Sequence, residues 1–411
     1  GHGPMNIRPE VKSAAETILP ALAARIAQID AAALENTEKV LGAFRKFRIS
    51  EAHFAGTTGY GYDDMGRDTL DKLFAQVFGA ESALVRLDFV NGTHALFCAL
   101  AGCLAPGEKM LSVTGAPYDT MRTAIGIDGN APGSLKYYGI GYEQCAIGED
   151  FSEKLADPVV HLVYIQRSRG YDNRDALSID EISALVRAVK ARRPDAVVMV
   201  DNCYGEFTDT REPCDVGADI CAGSLIKNPG GCITPRGGYI CGRTELVERA
   251  AFRLTSPGIG GECGASLGHN RLVYQGLFMA PHTTAQALKT AAFCAAMLEH
   301  FGFETSPGPF AARSDTVQTV TLRSAERLVA FCRGVQSASP VDSFVSPEPW
   351  QMPGYDCEVV MAAGTFIGGS TSELSCDGPL REPYTAYMQG AVSFEAGQLA
   401  VMAAISEMLG A

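Results

Sequence analysis

Apolar positions recur at helical spacing over residues 11–48, with Ile18, Leu22, Ile26 and Ile29 on one face, which predicts an N-terminal helical arm packed along one side. The period then shortens. Apolar runs at 83–89, 109–113, 159–165, 196–200, 219–222 and 238–241 alternate with longer amphipathic stretches that predict helices from His94 and from Ile179. Runs of this kind predict a mostly parallel sheet covered on both faces, with functional residues gathered where its strands end. Farther on, Pro281-His282 predicts the start of a long Ala-rich helix to about residue 301. A helix near 326–335, strands at 358–361 and 373–375 and a closing helix at 394–409 follow. The pattern divides the chain into a helical arm (1–50), a large α/β domain (51–285) and a smaller α+β domain (286–411).

With 411 residues the chain is too long for one hydrophobic core to grow comfortably, in keeping with that division. A net charge of -13 argues against nucleic acid or an anionic membrane as partner, because the long-range field repels phosphates. Any phosphate bound here must be held by local groups. The 13 cysteines show no CxxC or zinc-like spacing and are expected as free thiols, with no metal site. Gly1-His2-Gly3-Pro4 reads as a cloning remnant ahead of Met5. No signal segment follows it, and no run of about 18 apolar residues is present, so a soluble cytoplasmic protein is expected.

Chemistry concentrates around Lys227. The segment Val197-Val198-Met199-Val200-Asp201 reads as a buried strand ending in a carboxylate, and a further strand leads to Gly223-Ser224-Leu225-Ile226-Lys227-Asn228-Pro229-Gly230-Gly231. Alone, Asp201 could equally cap a turn. Together, a lysine that forms a Schiff base with a cofactor aldehyde and a carboxylate that keeps a proton on a pyridine nitrogen are what pyridoxal phosphate (PLP) requires. Asn91-Gly92-Thr93-His94 follows a strand and opens an apolar helix, so it offers either an ordinary cap or a phosphate cradle, to which Ser224 adds a hydroxyl. Tyr118, on the loop after residues 109–113, is either a turn tyrosine or a ring that stacks on the cofactor; with its pKa lowered by nearby cations it would also move protons. An amino-acid substrate needs a cation for its carboxylate. Arg381 is the first choice, with Arg167 and Arg169 as competitors. The loop Gly56-Thr57-Thr58-Gly59-Tyr60-Gly61-Tyr62 carries three glycines, which suits close approach to a ligand or a partner chain.

Almost end to end, these segments resemble the methionine γ-lyase-like family, also labelled aluminium-resistance or cystathionine β-lyase-like proteins. The resemblance rests on Gly59-Tyr60-Gly61-Tyr62 with Gly66-Arg67-Asp68-Thr69-Leu70, Gly92-Thr93-His94-Ala95-Leu96, Pro117-Tyr118-Asp119-Thr120, Ile165-Gln166-Arg167-Ser168-Arg169-Gly170-Tyr171, Asp201-Asn202-Cys203-Tyr204-Gly205-Glu206-Phe207 and the run from Ser224 to Gly231. It implies the fold-type I, aspartate aminotransferase-like architecture of PLP enzymes. Lys227 would be the Schiff-base lysine, Asp201 the partner of the pyridine nitrogen and Tyr118 the stacking ring. Gly92, Thr93, Ser224 and Gln166 would contact the cofactor, and Tyr60 or Tyr62, with Arg67, would complete the phosphate site of a neighbouring subunit. A homodimer with shared active sites, and from it a homotetramer, is the implied assembly. The implied reaction is γ-elimination on a γ-substituted L-amino acid that loses a thiol, or a halide in an alkyne- or alkene-forming variant. Alternatives are a cystathionine-type β-lyase, a γ-replacement transferase and a non-catalytic stress protein on the same fold. Two positions depart from the related pattern: Ile226 precedes the lysine where a hydroxyl residue is usual, and Asn91 stands where serine is common.

Overall fold

The computed structural model describes residues 5–353 and 355–411, so the expected cloning remnant at 1–4 lies outside it. The chain forms two compact units, Asn36–Phe278 and the residues up to Glu35 together with Met279–Ala411.

The larger unit is built on seven strands: β1 (Ser82–Arg86), β2 (Lys109–Ser112), β3 (Gly141–Gln144), β4 (Val160–Gln166), β5 (Val197–Asp201), β6 (Ile220–Ser224) and β7 (Gly238–Gly242). Their order is β1-β7-β6-β5-β4-β2-β3. From β3 to β6 every pairing is parallel, and β7 runs antiparallel to both of its neighbours. The Val- and Ile-rich runs of β4 and β5 are almost wholly buried, as strands covered on both faces must be. One face packs Tyr164, Met199, Ile220, Ala222 and Ile240 against Ala95, Leu96, Ala99 and Leu100 of the helix Gly92–Cys103. A mostly parallel α/β sheet is thus present.

The smaller unit holds β8 (Glu304–Ser306), β9 (Val317–Thr321), β10 (Val359–Ala363), β11 (Ser375–Pro379) and β12 (Thr385–Gln389), all antiparallel in the order β10-β11-β12-β9-β8. Phe331 and Val335 of the helix Ala325–Ser337 and Val401 and Ile405 of Phe394–Met408 pack on this sheet. Val11, Ala14, Ala15 and Ile18 of the helix Pro9–Ala21 join the same core.

Two local expectations are corrected. Pro281 does not open a helix but lies inside Asn270–His300, although an internal proline costs about 3 kcal/mol. Its flanks are buried at Ala280 and Ala285, and that packing keeps the chain helical. Glu373 is not in a strand. Its carboxylate accepts the Phe366 and Ile367 N–H groups at 2.8 and 3.1 Å and so holds a loop, and β11 begins at Ser375. No single helix among the described residues is long and apolar enough to cross a membrane.

Asp64 ties one corner of the larger unit. Its carboxylate accepts from Thr57 and Ser266 hydroxyls, the Asn270 amide and the Arg67 N–H at 2.5–3.0 Å. Burial raises its pKa, but these bonds outweigh burial and hold it down at about 2. A depressed carboxylate contributes stability above its unfolded pKa of about 3.9 and loses it as pH falls through the folded value. Asp64→Asn is therefore expected to melt below the parent protein at neutral pH, with the gap narrowing as pH drops from about 4 towards 2. Thermal melts across that range check the expectation.

Candidate active site

β4, β5 and β6 end side by side. Gln166 is in register with Asp201, and Asp201 with Ala222. Because side chains alternate across a strand, Gln166, Asp201 and Ser224 share one face. The helix Gly92–Cys103 begins on that face, so close that a β-carbon added at Gly92 would stand 3.1 Å from Cβ of Ser224 and 3.6 Å from Sγ of Cys203. Asn91 caps the helix, its Oδ1 accepting the His94 N–H at 2.9 Å. The Gly92 and Thr93 N–H groups have no acceptor within the helix and sit at its positive end, where an anion is favoured.

Lys227 follows β6 on a tight turn. Ser224 Oγ accepts the Ile226 N–H at 3.3 Å, Asn228 Nδ2 donates to the Glu206 carbonyl at 2.8 Å, and the Gly230 N–H returns to the Lys227 carbonyl at 3.0 Å. A β-carbon at Gly230 would fall 1.8 Å from the Leu225 carbonyl oxygen. Gly230→Ala is therefore expected to force the turn open and lower stability by about 1–3 kcal/mol, read as a fall in the denaturation midpoint. The Lys227 ammonium lies over the Tyr204 ring, 5.0 Å from its centroid. Tyr204 has a φ of 66°, a strained backbone state for a bulky residue and one that collects at functional sites.

Asp201 is buried; its Oδ1 accepts the Cys203 N–H at 3.1 Å and its Oδ2 the Tyr164 hydroxyl at 3.3 Å. Burial pushes its carboxyl above the usual range, against the pull of these bonds and of Lys227. For Lys227 burial acts to lower the pKa, yet Tyr204, Cys203, Glu206 and Asp201 together outweigh it and the net displacement is upward.

Gln166 Oε1 accepts the Tyr118 N–H at 3.0 Å. The Tyr118 hydroxyl shares a 2.8 Å bond with Thr93 Oγ1, which shares another of 2.8 Å with Thr120. The condition for a phenolate at Tyr118, a pKa lowered by nearby cations, is not met by the chain's own groups: burial first, then Asp201 and Cys203, push the phenol up. Its charged neighbours are anions rather than cations, so Tyr118 is a neutral hydroxyl at ordinary pH.

The donor set fits PLP. A helix start suits its phosphate, a buried carboxylate its ring nitrogen and a lysine at a strand end its aldehyde. Among the described residues no three His, Cys, Asp or Glu side chains form a metal-binding group.

The family model for methionine gamma-lyase matches residues 11–409 of the chain. The chain belongs to that family. A carbon-sulfur lyase involved in aluminium resistance from Clostridium novyi NT is 49% identical, with a TM-score of 0.93 over 98% of this chain and 96% of that one. YnbB of Bacillus subtilis (strain 168), an uncharacterized protein, is 46% identical over 389 residues, 93% of this chain and 92% of its own. The pyridoxal-5'-phosphate dependent protein YhfS of Escherichia coli is 18% identical, with a TM-score of 0.60 over 91% of this chain and 95% of that one. That likeness is one of fold, the fold-type I architecture of PLP enzymes.

Other residues singled out in this methionine gamma-lyase family member lie in different settings. Arg167 is fully buried and donates to the carbonyls of Leu177 and Gly205, Asn202 Oδ1 and Thr208 Oγ1 at 2.9–3.2 Å, so it organises the loop after Asp201 and has no exposed face for a substrate. Arg169 is also buried. Arg381, in the smaller unit on the connection between β11 and β12, is exposed and pairs with Asp356 at 3.1 Å. Tyr60 and Tyr62 are exposed, with ring centroids 6.0 Å apart. Arg67, expected to reach a neighbouring subunit, is buried beneath them. It donates to the carbonyls of Gly61, Glu262 and Gly264 and to Asp68, which clamps the tyrosine loop to the 262–264 segment.

Three residues around Lys227 carried no role in the sequence reading: Cys203, Tyr204 and Glu206. Their signal was the segment Asp201-Asn202-Cys203-Tyr204-Gly205-Glu206-Phe207, which reads locally as a polar turn after a strand.

Proposed function

We propose that the chain is a PLP-dependent lyase that performs γ-elimination on a γ-substituted L-amino acid. The observation that carries this reading is the meeting of Asp201, Ser224 and Lys227 at adjacent strand ends, on the helix start at Gly92, in a member of the methionine gamma-lyase family. Bound PLP supplies an aldehyde for the substrate amine and a ring that accepts the electrons released at Cα. The Gly92 and Thr93 N–H groups and Ser224 would hold its phosphate, Asp201 would keep its ring nitrogen protonated, and Lys227 would hold its aldehyde carbon.

With its amine free, Lys227 would take the Cα proton, hand that proton on, and as a free amine again take one from Cβ, so that the group on Cγ would depart with its bonding electrons. The neutral Tyr118 hydroxyl, set by Gln166 and Thr93, donates a hydrogen bond or a proton to that group. Hydrolysis then yields a 2-oxo acid, ammonia and the departed group. A thiol is favoured as leaving group by the carbon-sulfur lyase from Clostridium novyi. The exposed pair Tyr60 and Tyr62 supports a homodimer in which each subunit presents these rings to the other's site.

Incubation of the PLP-reconstituted protein with a panel of γ-thio, γ-halo and β-thio L-amino acids, with products identified by mass, tests the reaction. A 2-oxo acid bearing the intact γ-carbon skeleton together with a released thiol is expected. Pyruvate from the β-thio compounds alone would replace the reading with a β-lyase, and an alkyne or alkene amino acid from the γ-halo compounds with the halide variant.

A further inference from the structure

Two helices begin beside Tyr118, and each carries a threonine as its second residue: Thr93 in Gly92–Cys103 and Thr120 in Asp119–Ile125. A threonine deeper in a helix can bond its hydroxyl back to the carbonyl one turn before it, but at a helix start that turn does not exist. Both hydroxyls are left for other partners. Thr93 Oγ1 stands 2.8 Å from the Tyr118 hydroxyl and 2.8 Å from Thr120 Oγ1, so three hydroxyls form a chain with Thr93 in the middle. The chain runs outward. Tyr118 and Thr93 are half-buried and Thr120 is exposed, so one end belongs to the candidate site and the other meets water.

A hydroxyl carries one proton and two lone pairs, so each member can donate to one neighbour while it accepts from the other. When Thr120 donates to Thr93 and Thr93 to Tyr118, the phenol oxygen is already bonded and its own proton is left to point at a substrate. The reverse order spends that proton on Thr93. Both orders use the same oxygens at the same distances, and rotation of the O–H bonds converts one into the other. Tyr118 has a chemical need for such a chain. Burial, Asp201 and Cys203 disfavour its phenolate, so a phenolate left by one proton transfer must be neutralised before the next. Thr93 and Thr120 act the other way and favour the phenolate, as donors to its oxygen do.

We propose that Thr93 and Thr120 relay a proton from solvent to Tyr118 as Tyr118 protonates the departing group. The Tyr118 O–H bond breaks as its proton joins the leaving atom, the Thr93 proton moves to the phenol oxygen, the Thr120 proton to Thr93, and a solvent proton to Thr120. One proton enters and one leaves, nothing is oxidised or reduced, and every hydroxyl ends neutral with its hydrogen bond reversed. Rotation of the hydroxyls restores the starting order. Both threonines act through Tyr118 and are positioning residues. The relay rests on the reading of Tyr118 as donor to a leaving group, but the hydroxyl chain itself requires neither cofactor nor substrate.

Exchange of the Tyr118 hydroxyl hydrogen with solvent tests the chain directly, followed by NMR of the full chain with an isotope label at tyrosine Cζ and without added PLP. The signal lost in Tyr118→Phe is that of Tyr118. Thr120→Val and Thr93→Val are expected to slow its exchange by about tenfold or more, and Thr120→Ser to return it towards the parent rate. Unchanged exchange in both valine variants overturns the proposal. In the PLP-reconstituted protein, single-turnover rates on a γ-alkylthio and a γ-nitrophenylthio L-amino acid carry the catalytic comparison. An alkylthiolate is basic and needs a proton as it departs, whereas a nitrophenylthiolate leaves without one. Thr120→Val is expected to slow the first substrate by about tenfold or more and the second by less than about twofold, with Thr120→Ser close to parent on both. Equal slowing of both substrates marks a merely structural threonine and overturns the proposal, as does slowing of neither. The matching pair of β-thio compounds gives the same comparison where the bond broken is at Cβ. Turnover of none of these compounds refutes the lyase reading, whereas the hydroxyl exchange still decides the relay.

Discussion

Lys227→Ala is expected to abolish the visible absorbance of the PLP-reconstituted protein and to lower turnover by at least about 10³-fold, because one side chain serves both as covalent anchor and as proton carrier. The effect should exceed that of any other single lysine. Lys190 and Lys289, for comparison, sit in ion pairs with Asp219 and Asp30 at 2.7 and 3.0 Å. Borohydride reduction of the reconstituted parent protein, followed by peptide mass analysis, locates the attachment directly. The cofactor mass should lie on the peptide that contains residues 223–231, and attachment elsewhere would remove Lys227 from the centre of the site. In the variant an added alkylamine should restore part of the proton transfer, since the cavity left by the side chain lies against Tyr204 rather than open water.

Asp201→Asn comes second, with an expected loss on the order of 10²–10³-fold in kcat, because an amide keeps the shape but no longer holds a full charge opposite the ring nitrogen. This substitution has a second, opposite signature. The Asp201 carboxyl of the cofactor-free protein is raised by burial. A carboxyl with a raised folded pKa binds its proton more tightly in the native state, so it costs stability as pH rises above its unfolded value of about 3.9. Without cofactor, Asp201→Asn should therefore melt above the parent protein at neutral pH, with the gain vanishing towards pH 4. Loss of activity with a gain of stability separates a functional carboxylate from a structural one; a fall in both would identify Asp201 as a turn cap.

The strand ends were legible because the strands themselves are unmistakable. Buried runs such as residues 197–201 admit few other readings, and the polar residue that ends such a run stands out. Strand β3 is half exposed and β8 partly so, and neither stood out from loop. Strand β9 reads as polar because Gln318 and Thr319 lie within it, yet both are buried, with Gln318 bonded to Arg313 and to the Pro307 carbonyl at 2.6 and 2.9 Å. Local polarity could not announce that burial. The same gap hid Glu206. A glutamate five residues beyond a strand reads as solvated, and only the arrival of Tyr239 from β7 makes it an interior acid. The surroundings of Tyr118 were hidden for the converse reason: its position on a loop was clear, but the sign of its neighbours depends on which strand ends beside it. Arg67 and Arg167 show the limit for cations, since the spacing that singles out an arginine does not tell whether its fork meets a ligand or the protein's own carbonyls.

The corner tied by Asp64 is held by hydrogen bonds rather than by apolar area. Glycine-rich backbone on one side meets Gly264 to Ser266 on the other, through the Gly264 N–H to the Tyr60 carbonyl and the Leu267 N–H to the Thr57 carbonyl, both at 3.0 Å. Release of such a corner exposes polar groups and little hydrocarbon, so its opening lacks the large positive heat-capacity change of apolar exposure, and its stability changes with temperature without the dome that apolar burial produces. The aromatic pair at Tyr60 and Tyr62 thus rides on a mount whose grip has no temperature optimum.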